Sequence, residues 1–205
     1  MITKTTANKT AKMTPNAADL RERVLEVASR LFYERGVHAV GVDLVVAEAK
    51  IAKTSLYRHF RTKDDLIAAF LVREDEDFWG TWDAVAQKYA EDPAAELNAH
   101  FAWIGERVGR PNYRGCPQIN VAAEFPDPDH PARKVARDHK AELRRRLTAL
   151  AERLGARTSN ELGGQLAVLV NGAFVSSQML TADEAVALLQ NMARALIEKS
   201  CPRDE

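Results

Sequence analysis

The sequence predicts an all-α protein with a small N-terminal helical domain and a larger C-terminal one. Apolar residues recur at helical spacing along the chain, and no segment alternates apolar and polar residues as a half-buried strand would. Of 205 residues, 46% are hydrophobic and 28% are charged, which suits a globular protein of one or two domains. The longest apolar stretch is shorter than the roughly 18 residues of a membrane span, and the N-terminus lacks the apolar core of a signal peptide. We therefore expect a cytoplasmic protein without a membrane partner.

The first predicted helix begins after Asn16 and ends at Gly36. Asn16, with Asp19 three residues later, is a candidate N-cap, and glycine commonly follows the last helical residue. The apolar face of this helix consists of Leu20, Val24, Val27, Ala28, Leu31 and Phe32. We expect this face to pack against the helices that follow.

Two short helices and a tight turn are predicted next. The apolar block "VDLVVAEA" at 42–49 follows Gly41, and "KIA" separates it from "KTSLYRHFRTKDDL" at 53–66. Thr62 and Asp65 are a candidate capping box, in which each side chain binds the backbone N–H of the other. The third helix is therefore predicted to end near residue 60, and a fourth to begin just after Thr62.

Longer helices account for the rest of the chain. Apolar residues keep helical spacing over 67–89, about six turns. Asp92 followed by Pro93 is typical of a helix start, and a helix with proline in its first turn is predicted over 117–125. The three prolines of "PDPDHP" force a loop, after which a charged helix is predicted over 132–154.

The last two predicted helices are the most apolar. The segment "SNELGGQLAVLVNGAFVSSQML" is apolar nearly all round from Leu166 to Met179, and "DEAVALLQNMARALIEK" follows it. A helix without a polar face must be covered on both sides. We therefore predict an isologous homodimer in which two helices of each chain pair. The predicted interface residues are Leu166, Leu169, Ala173, Leu180, Leu189, Met192 and Leu196.

Charge is divided unevenly although the net charge is zero. Residues 1–63 contain 12 Lys/Arg and 6 Asp/Glu, whereas the remainder contains 17 and 23. A basic N-terminal part followed by an acidic remainder favours a polyanionic partner for the N-terminal part, because neutralising phosphates releases counterions.

The second and third helices resemble a helix-turn-helix, in which the second helix enters the major groove of DNA. Leu56 and Phe60, four residues apart, would face inward. The side chains left facing outward are those of Lys53, Thr54, Ser55, Tyr57, Arg58 and His59. Such donors suit phosphates and base edges. On periodicity alone, a solvated helix with a basic face by chance is an equally good interpretation.

A family resemblance favours the first interpretation. The stretch "SLYRHFRTKDDL", preceded by "LFYERG", resembles the DNA-binding domain of the tetracycline-repressor (TetR) family of bacterial transcription regulators. The C-terminal stretches "YRGCPQINVAAEFPDPDHP" and "LAVLVNGAF" resemble one branch of it more loosely. The resemblance implies a homodimeric repressor, not an enzyme, that binds an inverted-repeat operator and carries a small-molecule effector in its C-terminal domain.

The resemblance also assigns roles to residues of the third helix. Lys53, Thr54, Tyr57 and Arg58 fall where the family approaches bases, and Ser55, Tyr57, His59 and Lys63 fall where it binds phosphate. The chain departs from the family's pattern at two positions. Lys50 stands where a turn glycine is usual, and Gly41 stands where a Ser or Thr usually caps the second helix. We therefore expect strain at Lys50 if that residue is left-handed and only moderate capping by Gly41.

We divide the chain into a flexible basic tail at 1–17, a helix-turn-helix domain at 18–63 and an effector-binding and dimerisation domain at 64–205. The effector is expected to be small and largely apolar or aromatic, because the candidate pocket residues are mostly aromatic. These residues are Trp82, Phe101, Trp103, Tyr113, Cys116, Asn120, Glu124, Phe174 and Gln178. The simpler interpretation is that the aromatic residues fill a core.

Three alternatives stay open. Cys116 precedes a proline at a predicted helix start, where the helix dipole lowers the pKa of a thiol, so redox sensing is an alternative to a small packing residue. The group of Glu124, Asp127, Asp129 and His130 contains metal-ligand types, but an acidic proline-rich loop more often caps a helix, and no metal or cofactor is predicted. A helical ligand-binding protein or enzyme without a DNA role is the third alternative.

Overall fold

The computed structural model describes residues 17–201 and is all-α over that range, as predicted. The N-terminal tail, including the candidate cap Asn16, lies outside the described residues except for Ala17, which already belongs to the first helix. The helices are α1 (Ala17–Arg35), α2 (Val42–Ala49), α3 (Lys53–His59), α4 (Lys63–Lys88), α5 (Pro93–Val108), α6 (Pro117–Glu124), α7 (Pro131–Arg153), α8 (Ser159–Val175) and α9 (Ala182–Ser200).

Helices α1 to α4 enclose one apolar core. The predicted face of α1 lies in it, with Val24, Ala28 and Leu31 fully buried. Leu56 and Phe60 of the α3 segment are buried against the same core, as their spacing predicts. Two residues from later in the chain, Val121 of α6 and Ala132 of α7, also belong to it, so α6 and α7 pack directly on the N-terminal helices.

The two predicted departures lie at opposite ends of α2, with Lys50 in the turn to α3. Gly41 is the N-cap of α2 and provides no side-chain hydrogen bond to the helix. Lys50, the C-cap, is left-handed with φ 53° and ψ 50°. Its backbone N–H donates to the Ala47 carbonyl at 3.2 Å, and that of Ile51 donates to the Val46 carbonyl at 3.2 Å. The turn therefore closes in the usual way, although a lysine occupies a position that favours glycine.

Several helix ends follow from local sequence. Thr62 and Asp65 form the predicted capping box, with Asp65 N donating to Thr62 Oγ1 at 3.0 Å and Thr62 N donating to Asp65 Oδ2 at 3.1 Å. The Asp92 carboxylate accepts from the first backbone N–H groups of α5. Pro117 occupies the first turn of α6, as predicted. These caps fix the starting points of α4, α5 and α6.

A second core lies among α4, α5, α7, α8 and α9. Its aromatic centre contains Phe78, Trp82, Phe101, Trp103 and Phe174, all buried. Helices α7 and α8 approach closely at Gly163, where an added β-carbon would lie 2.3 Å from Thr148 Oγ1. Within residues 17–201, no helix is long and apolar enough to cross a membrane.

Helices α8 and α9 leave an apolar face exposed. Val168 and Met179 are 71% and 76% exposed, and Val175, Leu188 and Met192 are exposed with them. The apolar segment predicted to run to Met179 stops being helical at Val175. The exposed face is therefore built by residues in the second half of α8, the loop after it and the middle of α9.

Left-handed Lys50 generates a stability prediction. Lys50→Gly removes the steric clash of the β-carbon in this conformation, so we expect the free energy of unfolding to rise by up to about 1 kcal/mol. For a chain of this size that is a rise in melting temperature of about 2–4 °C, measured by calorimetry. Lys50→Ala, which removes the charge but keeps the β-carbon, is the matched control and should give no such rise. Equal melting temperatures for the two variants would show that Lys50 is not strained.

Candidate functional site

Helix α3 presents its polar side chains to solvent. Lys53, Thr54, Tyr57 and Arg58, the four residues placed near bases, are all exposed, whereas Leu56 between them is buried. The other three residues of the predicted face, Ser55, His59 and Lys63, are half-buried at its margins. A short helix with an apolar side anchored in the core thus holds a basic and hydroxyl-rich side outward.

The electrostatics of this face are only partly neutralised within the chain. Lys53 Nζ lies 2.7 Å from Asp43 Oδ1, and both side chains are exposed, so water screens this pair. Among residues 17–201, Arg58 and Lys63 have no ion-pair partner. These cations are therefore available to a polyanion, and Lys53 is available if it leaves Asp43.

The nine candidate pocket residues do not form one pocket. Tyr113, Cys116 and Phe174 line a small buried cavity, whereas Asn120, Glu124 and Gln178 line a separate cleft of about 230 Å³ beside α1. Phe101 faces a groove between α5 and α9. Trp82 stacks on the His100 ring, with centroids 3.7 Å apart, and Trp103 packs on Phe78. For these two tryptophans, filling a core is the better description.

The buried cavity lies at the start of α6 and has a volume of about 10 Å³. Its aromatic walls are Phe78, Tyr113 and Phe174. Its remaining lining residues are Glu74, Arg107, Cys116, Pro117, Gln118 and His139. A surface cleft of about 270 Å³ shares Glu74, Arg107 and Tyr113 with it. These three side chains therefore form the wall between the cavity and the outside.

Polar groups in the cavity perturb one another. The Nδ1 atom of His139 bonds to Asp75, and Lys140 Nζ donates to Cys116 Sγ at 3.4 Å. Burial raises the pKa of the Cys116 thiol, but the neighbouring His139 ring and the Lys140 ammonium lower it by more, to about 7. Burial raises the pKa of Glu74 above its ordinary value. This is the pattern of titrating groups that a functional cavity often shows.

The segment before α6 is fastened to the last turn of α1. The Tyr33 hydroxyl donates to the Gly115 carbonyl at 3.2 Å and accepts from Arg114 N at 2.9 Å. The Arg114 guanidinium donates to the Tyr33 carbonyl at 2.8 Å and also to that of Glu34. These carbonyls are at a helix C-terminus and have no partner within the helix. Arg114 thereby caps α1 from a distant part of the chain.

The other end of α6 is fastened to the loop after α1. The Glu124 carboxylate accepts from Val37 N at 3.1 Å and from His38 N at 3.0 Å. His38 Nε2 donates to the Glu124 carbonyl at 2.8 Å. Gly36 is left-handed with φ +85°, and a β-carbon there would lie 3.1 Å from Glu124 Oε1. The Glu124 carboxylate therefore holds the α1–α2 loop, and the same residue lines the cleft beside α1.

The seven predicted interface residues are divided between core and surface. Leu166, Ala173 and Leu189 are buried within their own chain. Leu169, Leu180 and Leu196 are half-buried, and only Met192 is exposed. Leu166 is fully buried, whereas Ala173 and Leu189 line a groove of about 290 Å³ together with Leu169, Leu180 and Met192. This groove lies on the exposed apolar face of α8 and α9, which is the surface available to a partner.

Several residues around the cavity were missed by the sequence analysis. They are Asp75, Arg107, Gln118, His139 and Lys140. A signal existed for His139, because it falls in the apolar stripe of α7 together with Ala136, Leu143 and Leu147. A histidine at a core position of an otherwise charged helix indicates a buried polar partner. Its partner Asp75 is 64 residues away in sequence, and nothing in the local pattern indicates it.

Comparison with known proteins identifies the family. The sequence model described as "Bacterial regulatory proteins, tetR family" matches residues 24–70. A TetR-family transcriptional regulator from Streptomyces coelicolor superposes with a TM-score of 0.84 at 28% identity, over 89% of this chain and 96% of that one. A candidate TetR transcriptional regulator from Streptomyces avermitilis gives a TM-score of 0.76 at 32% identity, over 88% of this chain and 97% of that one.

A curated relative matches over a shorter length. An HTH-type transcriptional regulator of Staphylococcus aureus is 31% identical over 80 residues, which is 39% of this chain and 43% of that protein. The chain thus spans less than half the length of the curated relatives that it matches, whereas the match to the Streptomyces avermitilis structure extends over nearly the whole of both chains. The fold, the helix-turn-helix and this relative all indicate the same family. The chain belongs to the TetR family of bacterial regulatory proteins, a family of regulators and not of enzymes.

Proposed function

We propose that the protein is a DNA-binding transcriptional repressor, released from its operator by a small effector. The exposed polar face of α3 is the observation that carries this proposal. This face carries cationic, hydroxyl and phenolic donors on a helix whose other side is buried. It lies in the part of the chain that matches the family. A helical protein with no DNA role gives no reason for this face. Operator DNA binding separates these two functions.

Contacts to DNA fall into two groups. The family resemblance assigns Lys53, Thr54, Tyr57 and Arg58, which are exposed on α3, to base edges, which specify sequence. It assigns Ser55, His59 and Lys63, at the margins, to phosphates together with the Tyr57 hydroxyl. Phosphate contacts set position and the salt dependence of binding.

The buried cavity at the start of α6 is proposed as the effector site. Its walls are aromatic and its polar groups are few, which suits a flat, largely apolar molecule. A volume of about 10 Å³ excludes any such molecule from the closed form. Entry therefore requires Glu74, Arg107 and Tyr113 to move and join the cavity to the neighbouring cleft. An effector selects this open form, and so differs in affinity between the two states.

Helix α6 is proposed as the connection from cavity to DNA. Cys116, its N-cap, lines the cavity, while Arg114 and Glu124 on either side of the helix bind α1 and the loop after it. Displacing the start of α6 consequently shifts α1 relative to α7. In a dimer, that shift changes the separation of the two α3 helices and their fit to two half-sites.

The dimer is proposed to form through the exposed faces of α8 and α9. Val168, Val175, Met179, Leu188 and Met192 make a cluster of large apolar side chains that one chain leaves in water. An isologous pairing of this face with its copy would bury the cluster. The operator is then an inverted repeat, with one α3 helix for each half-site.

The first functional prediction separates base reading from phosphate binding. Arg58→Ala should weaken operator binding by about 1–3 kcal/mol and relax the preference at one base pair, whereas Lys63→Ala should weaken all sequences alike and lower the salt slope by about one. Fluorescence anisotropy on genomic fragments selected by the protein measures both effects. Arg145→Ala, an exposed cation on α7, is the control and should bind as the wild type does. If both test variants bind the operator as the wild type does, α3 is not the helix that contacts DNA.

The second prediction concerns the dimer. Met192→Glu or Val168→Glu places a charge in the proposed interface, where it would be buried without a partner. We expect these variants to sediment as monomers at micromolar concentration and to lose tight operator binding. Gln87→Glu, on the exposed side of α4, should sediment as the wild type does. A wild-type protein that is itself a monomer would contradict the proposed assembly.

The third prediction concerns the fastening of α6. Glu124→Ala leaves two backbone N–H groups without their acceptor, so we expect the free energy of unfolding to fall by about 1–3 kcal/mol. Glu124→Gln retains one acceptor oxygen and should lose less. Urea denaturation measures the difference, with exposed Glu152→Ala as the control. If Glu124→Ala is no less stable than Glu152→Ala, the carboxylate does not hold the loop.

A further inference from the structure

A surface cleft between α1 and the end of α5 is rich in arginine. This arginine cleft has a volume of about 270 Å³, just below the roughly 300 Å³ at which the usual range of small-molecule sites begins. Arg30 lines it from α1, and Arg107 and Arg110 line it from the end of α5 and the turn that follows. Because α1 belongs to the first core and α5 to the second, a molecule bound here would contact both.

Two of the three guanidinium groups are not neutralised within the chain. Arg30 pairs with Glu48 at 2.6 Å. Among residues 17–201, Arg107 and Arg110 have no ion-pair partner. Glu74, the acidic residue of the lining, acts on Arg107 only from a greater distance. With Arg107 and Arg110 set against Glu74, the cleft has an excess of one positive charge, which suits a ligand with a single negative charge.

Two buried polar atoms of the lining residues lack hydrogen-bond partners. They are Ser29 Oγ and Arg107 Nε. Buried polar atoms are rarely left so in proteins unless a ligand or water meets them. A hydroxyl and a guanidinium N–H can both donate to a carboxylate oxygen. These atoms therefore indicate that a group with acceptor oxygens belongs in the cleft.

The walls beside the polar groups are flat and apolar. The rings of Tyr33, Tyr113 and Pro111 line the cleft. The Tyr33 hydroxyl already has two backbone partners, so its ring is the part left for a ligand. The turn that carries Arg110 is closed by the Tyr113 backbone N–H, which donates to the Arg110 carbonyl at 3.1 Å. The cleft is therefore preformed and suits a flat ring.

We propose that the arginine cleft binds a small aromatic carboxylate, a second ligand distinct from the effector of the buried cavity. Its carboxylate accepts from the Arg107 and Arg110 guanidinium groups and from the Ser29 hydroxyl, and its ring lies against Tyr33 and Tyr113. The planar guanidinium matches the two oxygens of a carboxylate. A phosphate monoester carries about two negative charges at pH 7, which exceeds the excess charge of the cleft.

The bound carboxylate has a consequence that rests on the proposed function. Glu74, Arg107 and Tyr113 line the buried cavity as well as the cleft. A carboxylate that holds Arg107 keeps this shared wall closed and opposes entry of the effector. It also links α1 to α5, and so favours the form that binds DNA. Effector and carboxylate consequently weaken each other's binding by the same factor.

Benzoate is the probe, and benzamide, which has the same shape without the charge, is its matched control. We expect the full chain to bind benzoate by isothermal titration calorimetry, and its melting temperature to rise by about 3–6 °C when benzoate is at ten times its Kd. Benzamide should give neither effect.

Three variants and one control locate the site. Arg110→Gln changes an exposed side chain and should weaken benzoate binding by about fivefold or more. Ser29→Ala removes a hydroxyl without a partner, so it should weaken benzoate binding without lowering stability. Glu74→Gln removes the opposing carboxylate and should tighten benzoate binding. Arg145→Gln, an exposed cation of α7 outside the cleft, should bind benzoate as the wild type does.

Two results would overturn the inference. One is benzoate binding no tighter than benzamide binding, and the other is an equal benzoate affinity for the wild type, Arg110→Gln and Glu74→Gln.

Operator binding with and without benzoate tests the consequence and the proposed function separately. If benzoate tightens the operator complex of the wild type but not that of Arg110→Gln, the site and its consequence both hold. If the variants show the expected benzoate affinities but operator binding does not respond, the site stands and the consequence fails. If the wild type binds no operator, the DNA-binding function fails while the carboxylate site stands on its calorimetry. If the operator is bound and benzoate is not, the carboxylate site alone fails.

Discussion

Helix α6 is held to the end of α1 from both sides, and the relation between the two cores depends on this attachment. Before the helix, Arg114 caps the carbonyls of Tyr33 and Glu34. At its end, the Glu124 carboxylate binds two backbone N–H groups of the following loop. The two carbonyls would otherwise lack partners at a helix C-terminus, and the two loop N–H groups would lose their acceptor. Losing the attachment therefore costs hydrogen bonds on both sides, which keeps α6 and α1 in one arrangement.

The same helix begins at a strongly polar part of the aromatic core. Glu74, Arg107, Gln118 and His139 occupy a region where apolar side chains would pack more favourably, because buried polar atoms without partners destabilise a fold. Such a cost is typical of sites that bind something. Since Cys116 is both a wall of this region and the N-cap of α6, a molecule that enters must press on the element that holds α1.

Local chemistry in the sequence was sufficient to predict much of the fold. Thr62 and Asp65 predicted the start of α4, and Pro117 predicted the start of α6. Both predictions were possible because capping depends on residues within one helical turn. The burial of Leu56 and Phe60 followed from helical spacing alone. Capping involves residues that are close in sequence, and the burial of these two side chains depends only on the helical repeat.

Interactions between distant segments escaped prediction. Glu124 binds amides 86 and 87 residues away, and no local pattern distinguishes it from a carboxylate that faces a ligand. Periodicity likewise showed that α8 is apolar all round, but it could not tell that Leu166 faces the core and Val168 faces solvent. Trp82 was expected in a pocket because aromatic residues suit one, whereas it packs on His100. Assigning such residues required the packing of helices against one another.

Hydrogen exchange at the Val37 and His38 amides measures the connection from cavity to α1 most directly. Cys116→Phe fills the closed cavity without any ligand and must displace the start of α6. If α6 transmits that displacement, these two amides should exchange faster than in the wild type, while amides in the middle of α9 keep their protection. Faster exchange confined to residues around the cavity, with Val37 and His38 unchanged, would contradict the account.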